Sequence, residues 1–188
     1  MDTPMRVAAV VLTGGDGTRL GGVDKGSLQL AGSTLLERAL AATAAADEVV
    51  VVGDPVPTSR PVTWAREDPP GGGPAAGLLA GVDGLTGPVQ LVCVLAVDMP
   101  EVDAATFARL TAALRDDLDG AVLVDAAGER QNLAAVYRVS ALAAARPERE
   151  QGLSVRRLVG GLRLAEVPGV GAETRDVDTW ADLRDLGG

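Results

Sequence analysis

The feature that most constrains the fold is an apolar segment that runs into a long glycine-rich loop. Residues 6–12 are predicted to form a strand, and their apolar run from Val7 to Leu12 shows no polar alternation, as expected of a strand covered on both faces of a parallel sheet. Connections from a strand to a helix usually take about 2–6 residues. The longer loop that follows Leu12, which is rich in glycine, therefore indicates a binding role.

The residue types of this loop suit a polyphosphate. Glycines let successive backbone N–H groups approach an anion closely, while an arginine supplies a fork of donors and a lysine a compact positive charge. A flexible surface loop is the alternative, but it gives no reason for spaced cations directly after a buried strand. We therefore predict that a polyphosphate is held by Gly14, Gly15, Arg19, Gly21, Gly22 and Lys25.

Composition narrows the class of protein. With 188 residues, 47% of them hydrophobic and 23% charged, the chain is predicted to form one domain with an aliphatic core. A net charge of −9 and aromatic content of 2% argue against nucleic acid and anionic membrane as partners. The absence of histidine excludes it as a base or ligand, and the single cysteine, Cys93, excludes an intramolecular disulfide. No long apolar run occurs, so we expect a soluble cytoplasmic protein.

Strands and helices are predicted to alternate, which implies a mostly parallel sheet with right-handed crossovers. Further strands are predicted at 48–52, 62–65, 91–97, 121–124, 133–137 and 162–166, and helices at 34–46, 75–80, 103–114, 154–159 and the C-terminus. Ligands bind at the carboxyl ends of such strands. There Asp98 is suited to Mg²⁺, whereas Asp103 is better placed as the cap of the next helix.

Two familiar phosphate loops do not fit these residues. A Walker A loop ends in Gly-Lys-Ser/Thr, but Lys25 follows Asp24 and precedes Gly26. The Rossmann fingerprint requires glycine three residues after Gly17, where Leu20 stands. The stretch from Leu12 to Gly26 resembles instead the signature of nucleotidyltransferases, and within them most closely the molybdenum cofactor guanylyltransferases. Asp98-Met99-Pro100 is similar to the magnesium-binding Asp-x-Pro of that family.

The resemblance implies a single-domain, Rossmann-like, three-layer α/β/α nucleotidyltransferase fold with a mostly parallel central sheet. Residues of about 1–100 would form the nucleotide-binding half and residues of about 101–188 the acceptor-binding half of one domain, 1–188. The implied reaction is the Mg²⁺-dependent transfer of GMP from GTP to the terminal phosphate of molybdopterin, with release of pyrophosphate. A molybdoenzyme or a cofactor-delivery protein would be a further partner.

The resemblance also implies roles for particular residues. The catalytic set would be Arg19, Lys25 and Asp98, with Asp98 as the metal ligand. The nucleotide would be bound by Leu12, Thr13, Gly14, Gly15, Gly22, Lys25, Gly53, Asp68, Gly73 and Asp98. The acceptor would be bound by Gln131, Asp176 and Asp178.

The chain departs from the family pattern at several of these places. Asn132 replaces the proline that follows the Gln131 position, and Asp176 and Asp178 replace two asparagines. Gly53 stands where guanylyltransferases often have asparagine. Three alternatives therefore stay open: a cytidylyltransferase, a sugar-phosphate nucleotidyltransferase, and a nucleotide-binding protein without turnover.

Overall fold

The computed structural model describes residues 5–14 and 24–187. The strands, in chain order, are β1 (Val7–Leu12), β2 (Gln29–Leu30), β3 (Ser33–Thr34), β4 (Glu48–Val52), β5 (Thr63–Ala65), β6 (Leu91–Ala96), β7 (Gly120–Val124), β8 (Arg130–Arg138) and β9 (Leu164–Pro168). The helices are α1 (Leu35–Ala42), α2 (Pro74–Asp83), α3 (Ala104–Ala112), α4 (Val139–Ala145), α5 (Val155–Leu158) and α6 (Trp180–Gly187), and a 3-10 turn covers Lys25–Ser27. Within the described ranges, none of these helices combines the length and apolar character that crossing a bilayer requires.

Seven of the described strands form one sheet in the order β5-β4-β1-β6-β8-β7-β9. Strand β8 runs antiparallel to both of its neighbours, and the other pairings in this sheet are parallel. The predicted mostly parallel sheet is confirmed. Strands β2 and β3 form a separate antiparallel hairpin, which the sequence reading did not predict.

Strand β1 is apolar throughout because both faces of the sheet are covered. Ala9 and Val11 pack in one buried cluster with helices α1 and α3, while Val10 and Leu12 pack in a second cluster with helix α2. Since successive side chains of a strand point to opposite faces, an apolar residue is needed at every position. This arrangement confirms the three-layer α/β/α architecture.

Several predicted boundaries shift in the structure. Helix α1 ends at Ala42 rather than Ala46, and β9 spans Leu164–Pro168 rather than 162–166. Strand β8 begins at Arg130, before the predicted start at Leu133. Helix α4 was not predicted. The predicted cap is confirmed, because the side chain of Asp103 accepts a hydrogen bond from the Thr106 N–H and begins α3.

The sheet order reverses between β1 and β6. From β1 the chain builds outward through β4 and β5, then crosses back to place β6 on the other side of β1. At such a switch point the loops leaving the two strands diverge and open a crevice at their carboxyl ends. Thr13 and Gly14 leave β1 there, and Asp98 follows β6 at the same edge.

Candidate active site

A cavity of about 380 Å³ opens beside the carboxyl ends of β1 and β4, and we call it the nucleotide cavity. Its walls are mostly backbone and apolar side chains, with glycines from both neighbouring loops. The lining residues are Leu12, Gly14, Val52, Gly53, Arg66, Glu67, Pro70, Gly71, Gly73, Pro74 and Gly77. Four predicted nucleotide-binding residues, Leu12, Gly14, Gly53 and Gly73, are thereby brought to one cavity.

Thr13 and Gly53 form a matched pair at the edge of this cavity. The Thr13 hydroxyl donates to the Val52 carbonyl oxygen at 3.0 Å, and the residue is 7% exposed. Gly53 has φ +155°, and a Cβ placed on it would collide with Oγ1 of Thr13. The threonine hydroxyl therefore fills the space that a side chain at residue 53 would need, and no side-chain amide can be presented from Gly53 without moving Thr13.

The two adjacent acids of the next loop lie in different surroundings. Glu67 lines the nucleotide cavity, and its Oε1 accepts a hydrogen bond from the Gly71 N–H at 3.2 Å. Its Oε2 lies 4.0 Å from where a Cβ of Gly77 would stand. Asp68 is exposed and lines a neighbouring cavity with Arg146, which Glu67 also borders, but Asp68 is not among the lining residues of the nucleotide cavity. The structure therefore directs Glu67, which the sequence reading had not singled out, toward the nucleotide cavity.

Helix α2 begins at the border of this cavity. Gly73 precedes it with φ +89°, Pro74 occupies its first turn, and its first-turn N–H groups have no side-chain cap. Those groups, together with the helix dipole, make this end of the helix suitable for an anion. Pro74 also lines a second cavity that contains Asp98, so the start of α2 separates the two cavities.

Lys25 joins three parts of the chain at the crevice. Its Nζ donates to Asp98 Oδ2 at 3.4 Å, to the Val177 carbonyl oxygen at 3.1 Å and to Asp178 Oδ1 at 2.9 Å. The Val177 N–H donates in turn to the Asp98 carbonyl oxygen at 2.7 Å, and Val177 is fully buried. The C-terminal segment around Val177 is therefore fixed against the end of β6, beside the lysine.

For both Lys25 and Asp98, burial and the charge of the other residue shift the pKa in opposite directions. Burial lowers the pKa of Lys25, but the hydrogen bond to Asp178 and the charges of Asp98 and Asp178 outweigh it and leave the pKa raised. Burial raises the pKa of Asp98; Lys25 opposes this shift, and the nearby charges of Asp176 and Asp178 add to it. Lys25 is thus firmly cationic, and Asp98 sits in a locally acidic setting where a cation is favoured.

The second cavity, of about 260 Å³, lies beside Asp98, and we call it the acceptor cavity. Half of its lining residues have polar or charged side chains, whereas in the nucleotide cavity only Arg66 and Glu67 do. The lining residues are Pro74, Ala96, Asp98, Met99, Gln131, Asn132, Leu133, Val155, Arg156 and Asp176. Two of the predicted acceptor residues, Gln131 and Asp176, are therefore brought to Asp98, while Asp178 contacts Lys25.

Part of the predicted phosphate loop lies outside the described residues, namely Gly15, Gly17, Arg19, Gly21 and Gly22. Their predicted roles stay predictions. Among the residues that the structure describes, no group of three or more acidic or cysteine side chains is arranged to hold a metal. Cys93 is buried, and burial raises the pKa of its thiol to about 12, so it packs in the core and is not a nucleophile.

A switch-point crevice, a Lys–Asp pair and two adjoining cavities define, together with the fold, a nucleotidyltransferase. The molybdopterin-guanine dinucleotide biosynthesis protein A of Archaeoglobus fulgidus has the same fold, with a TM-score of 0.73 at 20% identity over 96% of both chains. Residues 9–167 match the model of the MobA-like NTP transferase domain. The chain belongs to this MobA-like family.

Two relatives bear on specificity. The chain is 36% identical over 162 residues to a probable molybdenum cofactor guanylyltransferase of Opitutus terrae, an alignment that covers 83% of this chain and 79% of that protein. Over a shorter stretch of 51 residues it is 59% identical to a 2-C-methyl-D-erythritol 4-phosphate cytidylyltransferase of Thermobifida fusca, covering 25% of this chain and 20% of that one.

Three features of the site were not predicted from the sequence. Glu67 was passed over beside Asp68, although both carboxylates precede the same glycine turn. The contact of Lys25 with the Val177 carbonyl oxygen could not be predicted from the sequence, because every residue has a carbonyl oxygen. The pairing of Asp178 with Lys25 could have been suspected from charge alone, but nothing in the sequence separated it from the other acids of the C-terminal segment.

Proposed function

We propose that this nucleotidyltransferase transfers GMP from GTP to the terminal phosphate of a molybdopterin-type acceptor and releases pyrophosphate. The observation that carries the proposal is the Lys25–Asp98 pair, which lies at the switch point beside the acceptor cavity. The guanylyltransferase names of the relatives support the choice of substrates. In this proposal residues 12–77 supply the nucleotide side and residues 96–176 most of the acceptor side of one domain.

The proposed reaction does not need a side chain that acts as a general base. A phosphate monoester is largely anionic near neutral pH, so its oxygen attacks the α-phosphorus without a side chain to remove a proton. The new P–O bond forms as the bond between the α-phosphorus and the bridging oxygen to the β-phosphate breaks, and pyrophosphate leaves. The protein must position the two phosphates in line and offset their charge. A site without histidine is adequate for this chemistry.

Lys25 supplies a cation next to the reacting groups. Its ammonium has three donors, and the protein offers it three acceptors, the carboxylates of Asp98 and Asp178 and the Val177 carbonyl. A bound polyphosphate carries more charge than the Asp178 carboxylate, so we expect it to take over part of this hydrogen bonding. Arg19 is proposed to add a second cation from the glycine loop.

The residues present fit Mg²⁺. The ion usually takes one or two carboxylates and completes its coordination with phosphates and waters, so a larger protein cluster is unnecessary. Asp98 is partly exposed to the acceptor cavity, with its pKa raised in part by Asp176 and Asp178, and a divalent cation would relieve that repulsion. When bound, Mg²⁺ supplies neutralisation of the phosphate charge. We expect Asp98→Asn to abolish the metal dependence or the activity, and an unchanged metal titration would assign the ion to another ligand.

Guanine is the base that the cavity supports best. The Glu67 carboxylate faces the nucleotide cavity, and a carboxylate can accept two parallel hydrogen bonds from the N1–H and 2-amino groups of guanine. Cytosine offers such an acceptor only its amino group. Cytidylyl transfer is the second candidate, because Gly53 presents no side chain and one relative with 59% local identity is a cytidylyltransferase.

Calorimetry with Mg²⁺ and, separately, GTP, CTP, ATP and UTP tests the proposal. Selective GTP binding that is lost in Lys25→Ala would support guanylyl transfer. Preference for CTP would move the assignment to cytidylyl transfer, and preference for UTP to sugar-phosphate chemistry. Tight binding of GTP without product from GTP and molybdopterin would indicate a nucleotide-binding protein without turnover.

A further inference from the structure

Strand β8 departs from regular pairing next to the acceptor cavity. Ala135 pairs with Val122 on β7, but the next β7 residue, Leu123, pairs with Gln131. The intervening residues 132–134 therefore form a bulge on the β7 side of β8. Bulges beside active sites re-aim side chains that a regular ladder would place elsewhere.

A buried tyrosine holds this bulge in place. The hydroxyl of Tyr137 donates to the Asn132 carbonyl oxygen at 2.8 Å, and Tyr137 is fully buried. Tyr137 is the only tyrosine of the chain. Because its ring is fixed in the core that contains helices α2 and α5, the hydroxyl fixes the position of Asn132 from within the protein.

The side chain of Asn132 has an unused hydrogen-bonding atom. Its Oδ1 is buried and, among the residues that the structure describes, has no hydrogen-bond partner. Asn132 lines the acceptor cavity together with Asp98 and Arg156, and it also borders an adjoining cavity that contains Arg130. A buried acceptor without a partner is costly, so rotation of the amide that brings this oxygen to a donating ligand in the acceptor cavity would be favoured.

We propose that Asn132 is a specificity residue for the acceptor substrate. Its amide oxygen accepts a hydrogen bond from an N–H group on the body of the acceptor, while the acceptor phosphate lies at Asp98. A carboxamide presents one acceptor and one donor in a plane, which complements a nitrogen heterocycle with adjacent N–H and C=O groups, as in a pterin. This inference rests on the proposed function, since it assumes that the acceptor is a phosphate monoester carrying such a ring.

Asn132 does not take part in the chemical step. A neutral amide neither moves a proton nor carries charge to the phosphates. The proline found at this place in the family pattern offers no side-chain hydrogen bond, so the contact is particular to chains with an amide here. Tyr137 acts through Asn132 and is a positioning residue.

Kinetics with GTP and molybdopterin test this role. Asn132→Leu removes the buried Oδ1, which has no hydrogen-bond partner among the described residues. The midpoint of thermal unfolding should therefore be equal to or above that of the wild type. The acceptor KM should rise about tenfold, as expected for one lost hydrogen bond, while the KM for GTP and kcat stay unchanged. Tyr137→Phe should raise the acceptor KM in the same direction by a smaller factor. An unchanged acceptor KM in Asn132→Leu would overturn the proposal.

Nuclear magnetic resonance tests the role of Asn132 without the need for catalytic turnover. Asn132 is the only asparagine of the chain, so labelling with [¹⁵N]asparagine gives one side-chain amide pair. Neopterin monophosphate should shift this pair saturably, whereas ribose 5-phosphate, which carries the phosphate without the ring, should not. A shift without any product from GTP and molybdopterin would retain Asn132 and reject the proposed function. Product formation with no shift and an unchanged acceptor KM in Asn132→Leu would retain the proposed function and reject the role of Asn132.

Discussion

The two cavities that meet at the start of helix α2 are built in different ways. The nucleotide cavity is made mostly of glycines, apolar side chains and backbone groups from residues 12–77, with Arg66 and Glu67 as its charged side chains. The acceptor cavity combines apolar residues with polar and charged side chains from strand β8, helix α5, the loop after β6 and the C-terminal segment. The first is assembled from segments within residues 12–77, whereas the second joins segments that are as far apart in the sequence as Pro74 and Asp176.

The difference separates two kinds of specificity. Backbone groups and glycines suit phosphates and a ring, which are common to all nucleotides. Asn132 and Asp176 replace the proline and asparagine of the family pattern, and their side chains suit recognition of a particular acceptor. We therefore expect changes at the glycines of the nucleotide cavity to affect binding of every nucleotide, and changes at Asn132 or Asp176 to leave nucleotide binding intact.

The largest expected effect is that of Lys25→Ala, because Lys25 serves both sides. Its loss removes a cation from the phosphates and leaves Asp98 and Asp178 facing each other without the charge between them. We expect kcat/KM to fall by about 10²–10³-fold, measured as pyrophosphate release. Lys25→Arg, which keeps the charge on a larger head group, should lose less. Near-normal rates in Lys25→Ala would remove this residue from the reaction.

Glu173→Gln should destabilise the C-terminal segment that leads to the acceptor cavity. Glu173 is 7% exposed and accepts hydrogen bonds from Thr106, Arg109 and the Val170 N–H at 2.6–2.7 Å, which fix the segment leading to Val177. We expect the free energy of unfolding at pH 7 to fall by about 1.5–3 kcal/mol in urea titrations, with nucleotide affinity unchanged. Weaker GTP binding in this variant would contradict the separation of the two sides.

The pH dependence of that stability has a defined sign. Burial alone raises the pKa of Glu173, but the hydrogen bonds from Arg109, Thr106 and Val170 outweigh it and leave the pKa below the usual value of 4.5. The stabilisation is therefore present above pH 4.5 and is lost as pH falls through the lowered value. The difference in unfolding free energy between wild type and Glu173→Gln should shrink over this interval; a constant difference would show that the ionised group is not its source.

Two alanine substitutions in helix α2 sharpen the comparison on the nucleotide side. A Cβ on Gly77 would make ordinary contacts with Leu12 and Val52, which line the nucleotide cavity, so Gly77→Ala should raise the KM for GTP about tenfold without loss of stability. On Gly81 a Cβ would collide with Val10, and Gly81→Ala should cost about 1–3 kcal/mol with nucleotide affinity retained. Equal effects of Gly77→Ala and Gly81→Ala on the KM for GTP would argue against binding of the nucleotide in the nucleotide cavity.

The smallest expected effect distinguishes the two neighbouring acids. Glu67→Gln should weaken GTP binding by about tenfold or less and reduce the preference for GTP over ITP, which lacks the 2-amino group. Asp68→Asn is the matched control, and its exposed position predicts unchanged GTP binding. Calorimetry with both nucleotides measures the preference. The opposite pattern would return base recognition to Asp68, as the resemblance implies.

Much of the fold was predictable because its causes are local. The unbroken apolar runs of β1 and β6 predicted strands that are buried on both faces, and Asp103 predicted the start of α3. Strand β8 was placed too late because its first residues are polar and only partly buried. Its pairing with β7, and not its own composition, extends it to Arg130, since the pairing with β6 ends at Ala134.

By itself the sequence determined the family, the three-layer fold and the residues that follow strands β1 and β6, since these depend on short-range hydrophobic patterns and motif spacing. Only the tertiary structure decided which carboxylate faces the nucleotide cavity, that Lys25 contacts the Val177 carbonyl 152 residues away, and that a bulge orients Asn132. Such contacts depend on how the strands are ordered and paired. A backbone carbonyl, a neighbouring acid and a bulge have no compositional signature, so their roles arise only when the folded chain brings them to one crevice.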